Sequence, residues 1–339
     1  MHRCLQLAKL GAGHVAPNPM VGAVLVYQNT IIGEGYHQQY GQAHAEVNCI
    51  NSVSEAHKLL IEKSTLYVSL EPCAHYGKTP PCADLIIKKN IPNVVIACWD
   101  IYTEVDGKGI QKLQNAGINV ITGILEKEAL ELNKRFFTFL TKKRPYVVLK
   151  WAQSNDAKIA GPKFLAVKIT NDTTNRLVHQ WRSEEAAILV GTNTALHDNP
   201  KLTTRFWVGK NPVRLVIDRQ LKLPSSLHLF DGSVKTIVFN QIKEGEENGI
   251  VFYKLGDSEN IIPGLLNALY GLNIQSVFIE GGAILLQSFI DQHCWDEARV
   301  IINEELNIGD GIEAPLLKSN RPIDTQKIGT DLVSTYQPE

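Results

Sequence analysis

One histidine, one glutamate and two cysteines stand out as the residues best suited to chemistry: His44-Ala45-Glu46, and Pro72-Cys73 followed after eight intervening residues by Cys82. An imidazole and two thiolates form a soft nitrogen–sulfur set that suits zinc, and three protein ligands leave a fourth position for water. On zinc that water loses a proton near pH ~7 instead of ~15.7, so a nucleophile is available at neutral pH. Glu46 is a poor fourth ligand, because residues two apart on a helix do not share a face. At the start of a helix it can still reach the water and carry its proton, as an acid/base residue does. Singly, His44 reads as a helix cap and the cysteines as core thiols. The joint pattern, with Pro-Cys directly after a strand, favours the metal. Cys4, Cys49, Cys98 and Cys294 sit in apolar contexts and are expected to be buried structural thiols.

These residues need a scaffold. The first part of the chain alternates helical and strand patterns: helices at 3–10, 44–52, 83–89, 107–116 and 127–140, and strands at 22–27, 31–35, 65–70 and 94–97. The cluster Thr141-Lys-Lys-Arg-Pro145 interrupts the pattern, and the residue before a proline disfavours helix. The domain boundary is placed there, giving segments 1–143 and 144–339. The second segment has strand patterns at 146–151, 187–190, 213–217, 236–239, 276–279 and 298–302, with helical patterns at 173–181, 261–270 and 283–292. Both segments are therefore expected to be α/β. In the second, Glu280-Gly281-Gly282-Ala283 falls where a strand ends and a helix begins. Glycines there let backbone N–H groups approach a phosphate, although so short a motif also reads as a plain tight turn.

The segment Glu71-Pro-Cys-Ala-His-Tyr-Gly-Lys-Thr-Pro-Pro-Cys82, together with Asn18-Pro-Met-Val-Gly22, resembles the deaminase domain of the bifunctional riboflavin-biosynthesis deaminase/reductase family. The likeness continues through Leu132-Asn133, Pro145-Tyr146, Leu149-Lys150 and Asp198-Asn-Pro-Lys-Leu-Thr-Thr-Arg205 to Glu280-Gly-Gly282, so it covers nearly the whole chain. It implies an N-terminal cytidine-deaminase-like three-layer domain followed by a dihydrofolate-reductase-like α/β domain. It also implies a zinc site of His44, Cys73 and Cys82, with Glu46 as the acid/base. The loop between the cysteines would help hold a pyrimidine bearing a phosphoribosyl group through His75 and Lys78, a solvated loop lysine being the equal alternative for Lys78. Asn18 would hydrogen-bond the base, a turn role in Pro17-Asn-Pro19 being the equal alternative. In the second domain, NADPH would face Ala152, Lys168, Thr194, Asp198, Gly282 and Ala283. Substrate would face Arg182, Leu202, Arg205 and Glu280, although either arginine alone also reads as an ordinary surface residue.

Three stretches depart from the family pattern. Asp100-Ile-Tyr-Thr103 stands where relatives commonly have Asp-Pro-Asn-Pro. Ser154-Asn-Asp-Ala157 stands for Ser-Leu-Asp-Gly, Ala166 replaces a hydroxyl-bearing residue, and Lys168 replaces an aromatic. Cofactor affinity is the property most exposed to the last change. The expected reactions are deamination of 2,5-diamino-6-(5-phosphoribosylamino)pyrimidin-4-one and NADPH-dependent reduction of the resulting 5-amino-6-(5-phosphoribosylamino)uracil. Two rivals are a nucleic-acid base deaminase and a deaminase carrying a non-catalytic oligomerisation body.

Composition narrows the choice. The 34 Lys+Arg against 35 Asp+Glu leave no basic excess to hold nucleic acid, and the apolar runs have strand length, far short of a bilayer span. The start of the chain lacks the apolar core of a secretory signal, and six cysteines without secretory features suit a reducing compartment. A cytoplasmic enzyme with a small-molecule substrate is expected, with a homodimer or higher homo-oligomer left open.

Overall fold

In the computed structural model, residues 1–76, 80–100, 107–256, 258, 260–317 and 321–338 are described. The chain divides into two compact units, Met1–Lys143 and Arg144–Glu339.

The first unit runs α1 (His2–Lys9), β1 (Gly22–Tyr27), β2 (Thr30–Tyr36), α2 (Ala45–Asn51), a 3-10 stretch (Glu55–Lys63), β3 (Thr65–Leu70), α3 (Cys82–Lys88), β4 (Asn93–Cys98), α4 (Lys108–Asn115), β5 (Asn119–Ile121), α5 (Glu126–Leu132) and α6 (Lys134–Lys142). Its sheet has the order β2-β1-β3-β4-β5. β1 is antiparallel to both neighbours, and β3, β4 and β5 are parallel. Because side chains alternate across a strand, Leu25, Leu66, Val68, Val94 and Ile96 bury one face against Cys49 and Ile50 of α2, Ile86 of α3 and Leu113 of α4. On the other face, α1, α5 and α6 contribute Leu5, Ala129 and Phe137. The result is three layers.

Two backbone details set the site. A Cβ on Gly35 would lie 2.2 Å from the Cys49 nitrogen, so only glycine lets α2 lie directly on β2. The helix expected over 127–140 is in fact two helices that meet at Asn133. There Asn133 Oδ1 accepts from the Met20 N–H at 2.8 Å, while its Nδ2 donates to the Met20 carbonyl at 2.9 Å. A polar side chain that serves a distant loop competes with continuous helix, and the bonds fix the segment following Asn18.

The second unit runs β6 (Tyr146–Ser154), β7 (Lys158–Ala160), a 3-10 turn (Pro162–Phe164), α7 (Asp172–Glu184), β8 (Ala187–Gly191), α8 (Thr192–Asp198), β9 (Val213–Ile217), a 3-10 turn (His228–Phe230), β10 (Thr236–Asn240), β11 (Gly245–Glu247), β12 (Ile250–Lys254), α9 (Ile262–Gly271), β13 (Ser276–Glu280), α10 (Ala283–Asp291), β14 (Glu297–Asn303), β15 (Ile312–Glu313), β16 (Asp324–Ile328) and β17 (Asp331–Tyr336). The ten-stranded sheet has the order β11-β12-β10-β9-β8-β13-β6-β14-β17-β16. It is parallel from β12 to β14, with antiparallel strands at both edges.

Leu265, Leu269, Leu286 and Phe289 of α9 and α10 cover one face, and Val178, Trp181 and Ala195 of α7 and α8 cover the other. Such a parallel sheet offers its ligand crevice at the carboxyl ends of the strands. Neither unit contains, among the described residues, a helix long and apolar enough to cross a membrane.

Candidate active sites

In the first unit the zinc candidates converge. His44 is the extended residue just ahead of α2, Cys82 is the first residue of α3, and Cys73 follows the end of β3. Their ligand atoms lie within 4.8 Å of one another. His44 Nδ1 is 3.6 Å from Cys73 Sγ and 3.3 Å from Cys82 Sγ. Tetrahedral zinc with its usual bond lengths places such nitrogen and sulfur atoms about 3.6 Å apart, so the residues fit the ion. Hydrogen bonds from Cys82 and His44 overcome burial and hold the Cys73 thiol well below the usual thiol range, toward the thiolate that metals require.

Glu46, in the first turn of α2, is 3% exposed. Burial, with Cys73 nearby, pushes its carboxyl up to about 7, where an acid/base residue can both take and give a proton.

His37, which the sequence reading passed over, links Asn18 to this cluster. Its Nδ1 lies 3.0 Å from the Ala43 carbonyl, which can only accept, so Nδ1 carries the proton. Nε2 is then an acceptor for the Asn18 amide nitrogen at 3.2 Å. The His37 ring also stands edge-on to His44, with centroids 5.4 Å apart. Asn18 is thus held by its nitrogen. A histidine directly after β2 was the available signal, but only folding shows its neighbours. His75 lies half-buried between the two cysteines. Lys78 and the family departure at 101–103 fall outside the described residues, whereas Asp100 is buried. Cys4, Cys49 and Cys98 are buried as expected, and Cys294 is only half-buried.

In the second unit a cavity of 1230 Å³ runs along the carboxyl ends of β6, β13, β8 and β9. That exceeds the ~300–1,000 Å³ of an ordinary small-ligand pocket and suits a dinucleotide beside a substrate. Ala152, Lys168, Thr194, Asp198, Gly282, Ala283, Arg182, Leu202 and Glu280 all line it, as does Ala166. Gly282 precedes α10, and its N–H donates to Thr194 Oγ1 at 2.9 Å. A Cβ on Gly281 would stand 3.1 Å from the Leu285 side chain, so the backbone passes close to the helix there.

Arg182 and Glu280 meet in a two-bond ion pair, 2.7 Å for each bond. Lys150, opposite Glu280 in the sheet register, also lines the cavity. Burial pushes its ammonium down, with Glu280 opposing the shift and Arg182 adding to it. Burial alone would raise the Glu280 carboxyl, but Arg182 and Lys150 outweigh it and hold it at about 2. The sequence reading gave Lys150 no role. Its signal was a lysine within an otherwise apolar parallel strand.

Arg205 lies outside the residues that line the cavity. Its N–H donates to His179 Nδ1 at 3.0 Å and its guanidinium to Thr203 Oγ1 at 3.0 Å. Arg182 reaches the same loop through the Thr203 carbonyl. Lys168 stands at the rim, largely exposed, in an ion pair with Asp172 at 2.8 Å.

The first unit has a histidine–cysteine cluster that fits a soft metal beside a buried carboxylate, and the second a dinucleotide-sized cleft on a parallel sheet. Together they define a two-part metal-dependent deaminase and reductase. Comparison with known proteins agrees. Residues 1–98 match the cytidine and deoxycytidylate deaminase zinc-binding region, and residues 145–317 match the RibD C-terminal domain. The riboflavin biosynthesis protein RibD of Aquifex aeolicus is 39% identical over 99% of this chain and 97% of its own length. The RibD of Bacillus amyloliquefaciens is 42% identical over 88% of this chain and 81% of its own.

A crystal structure from Thermotoga maritima, of a diaminohydroxyphosphoribosylaminopyrimidine deaminase/5-amino-6-(5-phosphoribosylamino)uracil reductase, superposes with a TM-score of 0.91. It is 36% identical over 100% of this chain and 97% of that one. The chain belongs to the RibD family of bifunctional riboflavin-biosynthesis deaminase/reductases. It is a zinc-dependent deaminase joined to an NADPH-dependent reductase, and the alternative of a non-catalytic second domain is not favoured.

Proposed function

We propose that segment 1–143 hydrolyses the 2-amino group of 2,5-diamino-6-(5-phosphoribosylamino)pyrimidin-4-one, and that segment 144–339 reduces the ribose of the resulting 5-amino-6-(5-phosphoribosylamino)uracil to the ribitylamino phosphate. The convergence of His44, Cys73 and Cys82 within 4.8 Å, beside the buried Glu46, carries this reading.

Zinc held by these three residues supplies a Lewis acid that makes water nucleophilic near neutral pH. Glu46 accepts the water proton and delivers it to the departing amine, so that a C–O bond replaces the C–N bond and ammonia leaves. Asn18, fixed by His37, offers its oxygen to an N–H of the base, and His75 and Lys78 contact the phosphoribosyl part.

In the second unit NADPH supplies the hydride. Ala152, Thr194, Asp198, Gly282 and Ala283 line the cavity around the start of α10 and would hold it, that helix start being suited to phosphate, with Lys168 at the rim. Reduction also requires a proton, and Lys150 is the buried donor beside Glu280. Arg182 orients Glu280 and Leu202 borders the substrate, while Arg205, outside the cavity lining, holds the Thr203 loop that Arg182 also reaches. A small phosphorylated substrate, a cytoplasmic setting and no nucleic-acid partner follow from the same reading, and self-association is compatible with it.

The test supplies the diaminopyrimidine ribotide and NADPH to the purified chain and follows ammonia release together with NADPH absorbance. Ammonia should appear first, with NADPH consumed in equal amount afterwards. Ammonia without NADPH loss would remove the second half of the proposal, and no ammonia would remove the first.

A further inference from the structure

Glu71, directly after β3 and two residues before Cys73, is 4% exposed, yet its carboxylate is fully occupied. Oε1 accepts from the Gly109 and Ile110 N–H groups at 2.9 and 3.2 Å, and Oε2 from Gly107 and Asp100 at 3.1 and 3.3 Å. Gly109 and Ile110 belong to the first turn of α4, whose N–H groups have no partner within the helix. The carboxylate therefore caps a helix that lies far from it in sequence, and its charge suits the positive end of the helix dipole.

The same contact presses α4 onto the metal-binding strand end. A Cβ on Gly109 would lie 1.9 Å from the Pro72 carbonyl oxygen, so the α4 backbone sits directly against the residue that precedes Cys73. From the opposite side Cys73 is tied to α3. Its carbonyl accepts from the Ala83 N–H at 3.1 Å, and its sulfur accepts from the Cys82 N–H at 3.3 Å.

We propose that Glu71 is a positioning residue for the zinc ligand Cys73: by clamping the start of α4 and Asp100 to the end of β3, it fixes the Pro72–Cys73 backbone so that the thiolate is aimed at the metal before the metal arrives. The proposal rests on the reading of Cys73 as a zinc ligand. The chemistry needs a carboxylate. An amide offers one acceptor oxygen and turns a donor toward two N–H groups, so Glu71→Gln breaks at least two of the four bonds. Asp keeps two acceptor oxygens but is one methylene short.

The test uses the full chain. Zinc affinity is measured by competition with a chromophoric chelator, and the visible spectrum is recorded after cobalt(II) replaces zinc. Glu71→Gln should lower zinc affinity by about 10–100-fold, the range seen when partners behind a metal ligand are lost, and should alter the cobalt bands. Glu71→Asp should recover part of both. Gly109→Ala, which leaves the carboxylate intact but pushes α4 from Pro72, should reproduce the Glu71→Gln result. Wild-type affinity and cobalt bands in a folded Glu71→Gln or Gly109→Ala protein, even with a lowered melting temperature, overturn the proposal. Should Glu71→Gln not fold, Glu71→Asp and Gly109→Ala decide it. A wild-type chain that binds no zinc instead overturns the underlying ligand assignment.

Discussion

The two sites of this chain are built on opposite plans. The deaminase site gathers three candidate ligand atoms within 4.8 Å, a spacing at which tetrahedral coordination would tolerate little displacement. The reductase cavity instead spreads over strand ends and helix starts from Lys150 to Ile312. The departures from the family pattern fall in both units, at 101–103 in the first and at Ala157, Ala166 and Lys168 in the second.

The sharpest break in this comparison should come from the first site. Glu46→Gln should retain zinc and fold but lose deamination by ~10²–10⁴, because an amide cannot shuttle the proton. NADPH-dependent reduction should persist in the same protein. Near-normal ammonia release would remove Glu46 from the mechanism.

The second site should respond through stability as well as turnover. Glu280 is held at about 2 against an ordinary 4.5, so its pairing stabilises the folded unit fully above pH 4.5, and that stabilisation is lost as pH falls through about 2. The difference corresponds to ~3 kcal/mol at neutral pH. Denaturant melts of the wild type should lose roughly this amount across that window, and Glu280→Gln should show a flatter profile. Parallel profiles would mean that the ion pair with Arg182 is not the group being titrated.

A smaller effect is expected at the rim. Lys168 is engaged with Asp172 and largely exposed. Lys168→Trp should tighten NADPH binding by a few-fold, as ~0.5–1.5 kcal/mol of stacking allows, and leave the salt dependence of binding unchanged. Calorimetry at two salt concentrations measures both. A weakened salt dependence would place the ammonium against the cofactor phosphates.

The smallest effect concerns backbone strain. Ala157 sits at φ +59° in the turn between β6 and β7, a backbone conformation that favours glycine. Ala157→Gly should stabilise the second unit by about 0.5–1 kcal/mol, the relief of the Cβ clash exceeding the added freedom of the unfolded chain. Thermal melting that falls instead of rising would show that the turn is not strained.

Much of this was legible before folding. The strand runs at 22–27, 65–70 and 213–217 reappear with the same bounds, because β-branched residues in short apolar runs mark strands from local pattern alone. The break at Asn133 and the edge strand β16 were not legible. Asn133 looks like an ordinary helical residue until Met20 is beside it, and Asp324–Ile328 is exposed along most of its length, with no alternation to read.

The sequence by itself determined the chemistry available: an imidazole, two thiolates, a carboxylate, and a glycine pair between strand and helix. Those are properties of residue type and spacing. Tertiary structure alone decided which groups meet. His37 orients Asn18 through bonds to residues 19 and 6 positions away. Glu280 spends its charge on Arg182 and Lys150, 98 residues and a neighbouring strand distant. Glu71 caps a helix that begins 37 residues later. Hydrogen bonds and ion pairs act over a few ångströms of space, and only the packed sheets bring such distant positions within that reach.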